Sequence, residues 1–308
     1  IDPLHGEKSG KKIGKMSSIV VKDVEETNSL IWFRNDLRIN DHPGIDSALS
    51  KSGKVIGFYC FNSSMFKMTN LGFPKIDKFR AKFLLETIEN LKEDLKKINI
   101  TLIIKIGDPV EELTKIISQQ KIKNIFFQKE WTQEEVDEED QLKIKYNDIN
   151  FKSFYSQFLY DPDDLDINNI SNVFTNFRKH CEKKLKVKDL VESPKKLLDD
   201  NLLKDDYLIP SLSDLGLEDF EMDSRSAFKF KGGCNAAKER LDFYFWQSKK
   251  INFYKQTRNG LIGKDYSSKF SSWLSNGSIS VREIFWEIKD YEKNILKNQS
   301  TYWLIFEL

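Results

Sequence analysis

Ser267, Ser268 and Ser271 crowd into five residues, with Lys269 and Phe270 between them, around a predicted helix start. Serine hydroxyls both donate and accept, and a helix start leaves backbone N–H groups without intrahelical acceptors. Together they suit a diphosphate, with Lys269 adding charge; taken without context, such serines are simple helix caps. A second group, Arg34, Asp36, Arg38 and Asp41, follows the apolar run Leu30-Ile31-Trp32-Phe33. A loop at the carboxyl end of a strand is where an open α/β sheet holds its ligands. Paired charges there serve equally well to keep a strand–helix loop and a neighbouring domain in register. Glu130, in Gln128-Lys129-Glu130, ends another strand pattern. Its carboxylate suits a bidentate hydrogen bond to an amino-pyrimidine edge, and the plainer alternative is a solvated glutamate opening an acidic helix. Trp303 and Glu307 lie one helical turn apart and share a face. Lys249, Lys250, Lys255, Arg258 and Lys264 precede the serines as a solvated face or a phosphate contact.

The elements that must position these groups follow from periodicity. Residues 29 to 160 alternate strand runs (Leu30–Phe33, Val55–Phe61, Thr101–Ile106, Asn124–Gln128, Phe151–Tyr155) with amphipathic helices such as Phe79–Ile98. Asp108-Pro109 predicts a cap and first helical position, and Thr132-x-x-Glu135 a capping box. Such alternation predicts a parallel, doubly wound, Rossmann-like sheet covered on both faces. Residues 161 to 232 read as an interdomain connector containing one helix, Val173–Leu185. Residues 233 to 308 read as helical. One stripe is Ala237, Leu241, Tyr244 and Phe245; another is Val281, Ile284, Phe285, Ile288 and Tyr291 behind the box Ser280-x-x-Glu283. Trp273 and Trp286 are expected as core filler. Gly232-Gly233 is a helix-start or linker feature. The last apolar stretch, Thr301 to Leu308, shows no cap, so the helical part is expected to be truncated.

Composition bounds the function. A chain of 308 residues exceeds what one core usually serves, so two domains are expected. Hydrophobic residues at 39% exclude general disorder, and 23 phenylalanines fit burial of a planar cofactor without requiring one. The formal charge of +1 gives no global field toward nucleic acid or anionic membrane, so a nucleic-acid site must be a local patch. No apolar run approaches the ~20 residues that span a bilayer. Residues 1–28 are polar, start at Ile1 with Met16 as the first plausible initiator, and are expected to be a disordered tail or tag. Cys60, Cys181 and Cys234 are odd in number and far apart, as in a reducing compartment. With His5, His42 and His180 they form no ligand-spaced cluster, so no metal is expected. A cytoplasmic or nuclear location and a monomer follow as expectations.

Four motifs are specific enough to resemble a known family. They are Trp32-Phe33-Arg34-Asn35-Asp36-Leu37-Arg38-Ile39-Asn40-Asp41, Val173-Phe174-Thr175-Asn176-Phe177-Arg178-Lys179, Thr257-Arg258-Asn259-Gly260 with Tyr266-Ser267-Ser268-Lys269-Phe270-Ser271, and Ser300-Thr301-Tyr302-Trp303-Leu304-Ile305-Phe306-Glu307-Leu308. From about residue 29 to 308 the chain resembles the photolyases and cryptochromes, in their DASH branch. The resemblance implies an α/β antenna domain followed by the first part of an all-α FAD-binding domain. Ser267, Ser268, Phe270 and Ser271, with Lys269 among them, match the flavin diphosphate loop, and Tyr254 matches a tyrosine that approaches the flavin nucleotide. Glu130 matches a glutamate that contacts a folate antenna, 5,10-methenyltetrahydrofolate. Glu307 and Trp303 fall on the helix where substrate meets flavin. Cys234 departs from the pattern, since relatives often carry glutamate after the two glycines.

The implied activity is light-driven repair of cyclobutane pyrimidine dimers, preferably in single-stranded DNA, which spares the cost of extracting a base from a duplex. RNA is a further candidate partner. A photoreceptor or regulatory nucleic-acid binder on the same fold is the alternative, as is a chain that holds only part of the flavin pocket and is inactive as written.

Overall fold

A computed structural model describes residues 27–308; the expectation for the first residues of the chain falls almost wholly outside them. Strand β1 (Asn28–Trp32) leads through a loop to α1 (Pro43–Leu49), β2 (Val55–Asn62), α2 (Lys78–Lys97), β3 (Leu102–Gly107), α3 (Pro109–Gln119), β4 (Ile122–Gln128), α4 (Gln133–Lys145) and β5 (Asn150–Phe154). All pairings are parallel and the strand order is β3-β2-β1-β4-β5. Side chains alternate across a strand, so β1 feeds two cores. Ile31 and Phe33 pack with Ile45 of α1 and Ile88, Leu91 and Leu95 of α2. Leu30 and Trp32 pack with Leu113 and Ile116 of α3 and Leu142 of α4. The doubly wound sheet is therefore as expected. Asp108 accepts from the N–H groups of Val110 and Glu111 to start α3, and the Thr132–Glu135 box starts α4.

Residues 155–233 contain one longer helix, α5 (Phe174–Lys184), and short 3-10 turns. Asn201 fastens this stretch to the sheet: Oδ1 accepts the Val55 N–H at 2.8 Å, while Nδ2 donates to the carbonyls of Val55 and Asn99. The helical part comprises α6 (Cys234–Asp242) with a π-helical turn after it, α7 (Tyr254–Thr257), α8 (Ser271–Ser275), α9 (Val281–Asn294) and α10 (Gln299–Glu307). Its core gathers Leu241, Tyr244, Phe245, Trp273, Ile284, Ile288, Tyr291 and Leu304.

Several local expectations change. Helix α10 does have a cap: Asn298 accepts from the N–H groups of Ser300 and Thr301. Ser267 and Ser268 cap nothing; α8 begins at Ser271, and Phe270 holds its cap position without a side-chain bond. Trp273 is fully buried, but Trp286 is only half-buried and donates Nε1–H to the Lys188 carbonyl, tying down the connecting stretch. Phe285, half-buried, packs edge-on against it and lies outside the main stripe. Among the described residues no helix is long and apolar enough to cross a membrane, and no three His, Cys, Asp or Glu side chains converge as a metal site.

Candidate functional site

In a 3-2-1-4-5 sheet the crevice lies beyond the carboxyl ends of β1 and β4, where the winding reverses. Glu130 sits there, 8% exposed. Its Oε1 accepts from Asn35 Nδ2 at 3.1 Å and Gln128 Nε2 at 3.0 Å; Oε2 has no protein partner among the described residues. Burial pushes this carboxyl up to about 7, against the amides of Gln128 and Asn35 and the Arg34 charge. Glu130 is thus not the solvated start of an acidic helix. Glu138 on α4 is pushed up to about 7 by burial as well, although Arg34 opposes it. Arg34 lies over the Trp32 ring and bonds Glu139 at 2.6 Å. Beside this group Trp131 stacks on Tyr155 with centroids 5.4 Å apart, and Lys129 stands over both rings.

The expected Arg–Asp network divides into separate contacts. Arg38, 2% exposed, makes no hydrogen bond to a carboxylate among the described residues; its guanidinium donates to four carbonyls, those of Asn40, Asp41, Ser156 and Gly277. Burial lowers its pKa, and Asp41, Glu283 and Asp36 counter that effect. Asp36 faces His42, whose Nε2 is 3.0 Å from Asp36 Oδ2. His42 Nδ1 accepts the Ile45 N–H, which leaves the ring proton to Nε2; the Nε2–Oδ2 approach is a close contact and not an aligned hydrogen bond. Asp41 reaches the helical part, pairing with Arg282 and accepting from Ser280 Oγ. This loop does hold the two halves in register, by a route the sequence did not specify.

The serine turn is built on Arg240. From the buried side of α6 its guanidinium donates to the carbonyls of Lys264 (3.1 Å), Ser267 (2.9 Å) and Ser268 (3.0 Å) and pairs with Asp265 at 2.7 Å. The turn's carbonyls are thereby drawn to the arginine. Phe270 anchors the other end in the core against Phe245, and Lys269 adopts φ +65° with Nζ 3.6 Å from the Tyr266 ring centroid. Among the described residues, the backbone N–H groups from Ser267 to Ser271 and the hydroxyls of Ser267, Ser268 and Ser271 have no protein acceptor. Arg240 escaped sequence reasoning. The available signal was a charged residue within the apolar spacing of Ala237, Leu241 and Tyr244.

Tyr254, Arg258, Trp303 and Glu307 come together. Arg258 pairs with Glu307 and stands over the Trp303 ring, 5.4 Å from its centroid; Lys255 is at 4.8 Å. Phe306 stacks beside Trp303 at 5.0 Å, and the indole N–H is buried without a partner among the described residues. Burial raises the Tyr254 hydroxyl pKa, Glu307 adds to this, and Arg258 opposes it. Lys255 and Arg258 are therefore not a merely solvated face.

The DNA photolyase family model matches residues 29–196, more than half of the chain. The chain belongs to the DNA photolyase family. It is 41% identical over 283 residues to cryptochrome DASH of Gloeobacter violaceus, covering 91% of this chain and 56% of that protein. It is 36% identical to the chloroplastic/mitochondrial cryptochrome DASH of Arabidopsis thaliana, covering 95% and 52%. The crystal structure of a Synechocystis cryptochrome superposes with TM-score 0.85 at 37% identity, over 92% of this chain and 59% of that one. A class III photolyase from Agrobacterium tumefaciens shares the fold, with TM-score 0.75 at 21% identity, over 94% and 58%. The resemblance to DASH cryptochromes is thus borne out. This photolyase-family chain spans about half the length of the curated relatives it matches.

Proposed function

We propose that this chain forms part of a blue-light flavoprotein that binds FAD and repairs cyclobutane pyrimidine dimers, preferentially in single-stranded DNA. The observation that carries the reading is the serine turn. The carbonyls of Lys264, Ser267 and Ser268 are occupied by Arg240, while adjacent N–H groups and three hydroxyls have no acceptor among the described residues. Such a donor array fits the oxygens of a diphosphate. Ser267, Ser268 and Ser271 would donate to it, Lys269 would supply charge, Phe270 would fix the turn and Tyr254 would close on the nucleotide. When bound, reduced FAD supplies on excitation an electron to the dimer and recovers it after the ring has split, so the net reaction is redox-neutral. The chain's own part is to position partners and exclude water. Glu307 would bond the edge of a damaged base and Trp303 would stack on it, displacing Arg258 and Lys255 as they do so. Glu130, with Oε2 uncommitted, would hold the amino-pyrimidine edge of 5,10-methenyltetrahydrofolate as an antenna.

One observation favours a second reading. Glu307 is already paired and the Trp303 ring already covered by cations, which suits a photoreceptor or regulatory binder of DNA or RNA without repair. The test is the absorbance of the purified chain after incubation with FAD, followed by blue irradiation with a single-stranded oligonucleotide carrying a thymine dimer. Flavin uptake with light-dependent loss of the dimer is expected. Uptake without loss selects the second reading, and no uptake overturns both.

A further inference from the structure

Asn-Gly occurs twice in the sequence, at Asn259-Gly260 and Asn276-Gly277, and the fold treats the two pairs in opposite ways. In this dipeptide the glycine nitrogen can attack the preceding side-chain amide, because glycine has no Cβ to shield it. The attack needs a free amide and a backbone able to rotate. Asn276, 8% exposed, has neither. Its Oδ1 accepts from the Ser278 N–H at 3.0 Å and from Ser278 Oγ at 2.6 Å, and its Nδ2 donates to Thr87 Oγ1 at 3.1 Å. Its carbonyl accepts the Leu37 N–H, and the Gly277 N–H and carbonyl are bonded to Leu274 and Arg38. Asn259 is exposed, and among the described residues its side chain has no hydrogen bond. One bond closes its turn, from the Gly260 N–H to the Thr257 carbonyl at 2.8 Å. The chain then runs exposed to Lys264, with Leu261 and Ile262 at 88% and 94% exposure. Among the described residues, no backbone hydrogen bond forms from Leu261 to Gly263. Such a segment opens at little cost.

We propose that Asn259 is a self-modification site, converted to aspartate and isoaspartate without an enzyme, while the fold protects Asn276. The Gly260 nitrogen gives its proton to hydroxide and bonds to Asn259 Cγ, and the amide nitrogen leaves as ammonia. Water then opens the five-membered imide at one of its two carbonyls. One opening restores the backbone and leaves a carboxylate side chain. The other routes the backbone through the former side chain and lengthens it by one carbon. Overall one amide and one water become one carboxylate and one ammonium ion, with no change of oxidation state. The new carboxylate adjoins Arg258, which pairs with Glu307. The turn also packs on Tyr266, since a Cβ on Gly260 would lie 3.0 Å from Tyr266 Cβ. Tyr266 precedes the serine turn and lies under Lys269 Nζ, so a longer backbone at 259 presses on that turn. A loss of FAD affinity with age follows, and this consequence rests on the proposed reading of the turn.

The test is peptide mapping by mass spectrometry of the whole chain during incubation in warm, mildly alkaline buffer, with isoaspartate counted by enzymatic carboxyl methylation. Asn259 should convert at least about tenfold faster than Asn276, because fewer hydrogen bonds must open. In denaturing urea the two rates should converge, which assigns the difference to the fold. Asn259→Gln, whose amide would have to close a larger ring, should stay unmodified at that position. Equal rates in the folded chain, or a difference that persists in urea, would overturn the proposal. Fresh and aged parent are then compared for FAD binding by flavin fluorescence, beside Asn259→Gln treated alike. Weaker binding in the aged parent alone is expected, and equal affinity in fresh and aged parent overturns the consequence drawn for the turn. No flavin enters the mapping. A fresh parent that takes up no FAD therefore overturns the flavin reading and that consequence with it, while the mapping decides the modification by itself.

Discussion

Asp41 and Arg282 form a two-pronged pair across the joint between the halves of the molecule, with Nη2 2.7 Å from Oδ1 and Nε 3.0 Å from Oδ2. Both residues are buried. Ser280 Oγ accepts the Arg282 N–H at the start of α9 and donates to the same carboxylate, while the Val191 N–H occupies Oδ1. Removing one partner of such a pair strands the other without water. Asp41→Ala should cost about 3–5 kcal/mol, read by urea denaturation with a probe in each half. A variant within 1 kcal/mol of the parent would remove the pair from its assigned place in the joint.

Gly277 should tolerate no side chain. Its φ is +71°, and a Cβ would lie 2.1 Å from the Asn35 carbonyl oxygen and 2.5 Å from Asp36 Cα. Both neighbours are backbone in the loop after β1, so neither can rotate away. Gly277→Ala should destabilise by roughly 1–3 kcal/mol from backbone strain alone, and separation of the two surfaces should add to that. Thermal melts of the two proteins decide it.

Glu130 makes stability depend on pH with a definite sign. Its carboxyl ionises near 4.5 when unperturbed and near 7 in the fold, because of burial. Between those values the folded chain binds the extra proton, so stability falls as pH rises from about 5 to 7 and the full cost remains above that range. The shift corresponds to roughly 3 kcal/mol. Glu130→Gln keeps an acceptor for Asn35 and Gln128 but carries no charge. It should be more stable than the parent at pH 8 and similar at pH 5. The same variant should lose affinity for the folate antenna, read by absorbance after reconstitution. Parallel pH–stability curves for the two proteins would refute this account of Glu130.

Arg240 and the serines should separate stability from flavin binding. Arg240→Ala leaves three carbonyls and Asp265 without their donor, and should cost about 3–5 kcal/mol and weaken FAD binding together. Lysine cannot span three carbonyls from one planar group, so Arg240→Lys should recover little. Ser267→Ala with Ser268→Ala removes only hydroxyls that have no protein acceptor among the described residues. It should leave the melting temperature within a few degrees and lower FAD affinity at least tenfold, followed by quenching of flavin fluorescence.

The parts of the fold legible in the sequence are those set by neighbours along the chain. Buried parallel strands read as apolar runs, and the caps at Asp108, Thr132 and Ser280 act within three residues. What stayed hidden depends on partners far away. Nothing near Asp41 announces Arg282, and nothing near Ser268 announces Arg240. Trp286 looked like core filler because it adjoins an apolar stripe, yet the helix turns it outward to meet Lys188. At the candidate site, Ser267, Ser268 and Glu130 were visible as residue types at an element's end. The arginine that shapes the turn and the amides that hold Glu130 Oε1 were not.

Arg38 bonds the carbonyl of Ser156, which follows the last strand, the carbonyl of Gly277 from the helical half, and two carbonyls of its own loop. A single flat, rigid ion thus ties three stretches of chain that are far apart in sequence. Neither half can slide or swivel without emptying one of those bonds inside a dry interior. Two pigments seated on opposite sides of this joint would keep a constant spacing and a constant angle between their transition dipoles, and the efficiency of passing excitation from one to the other depends on both.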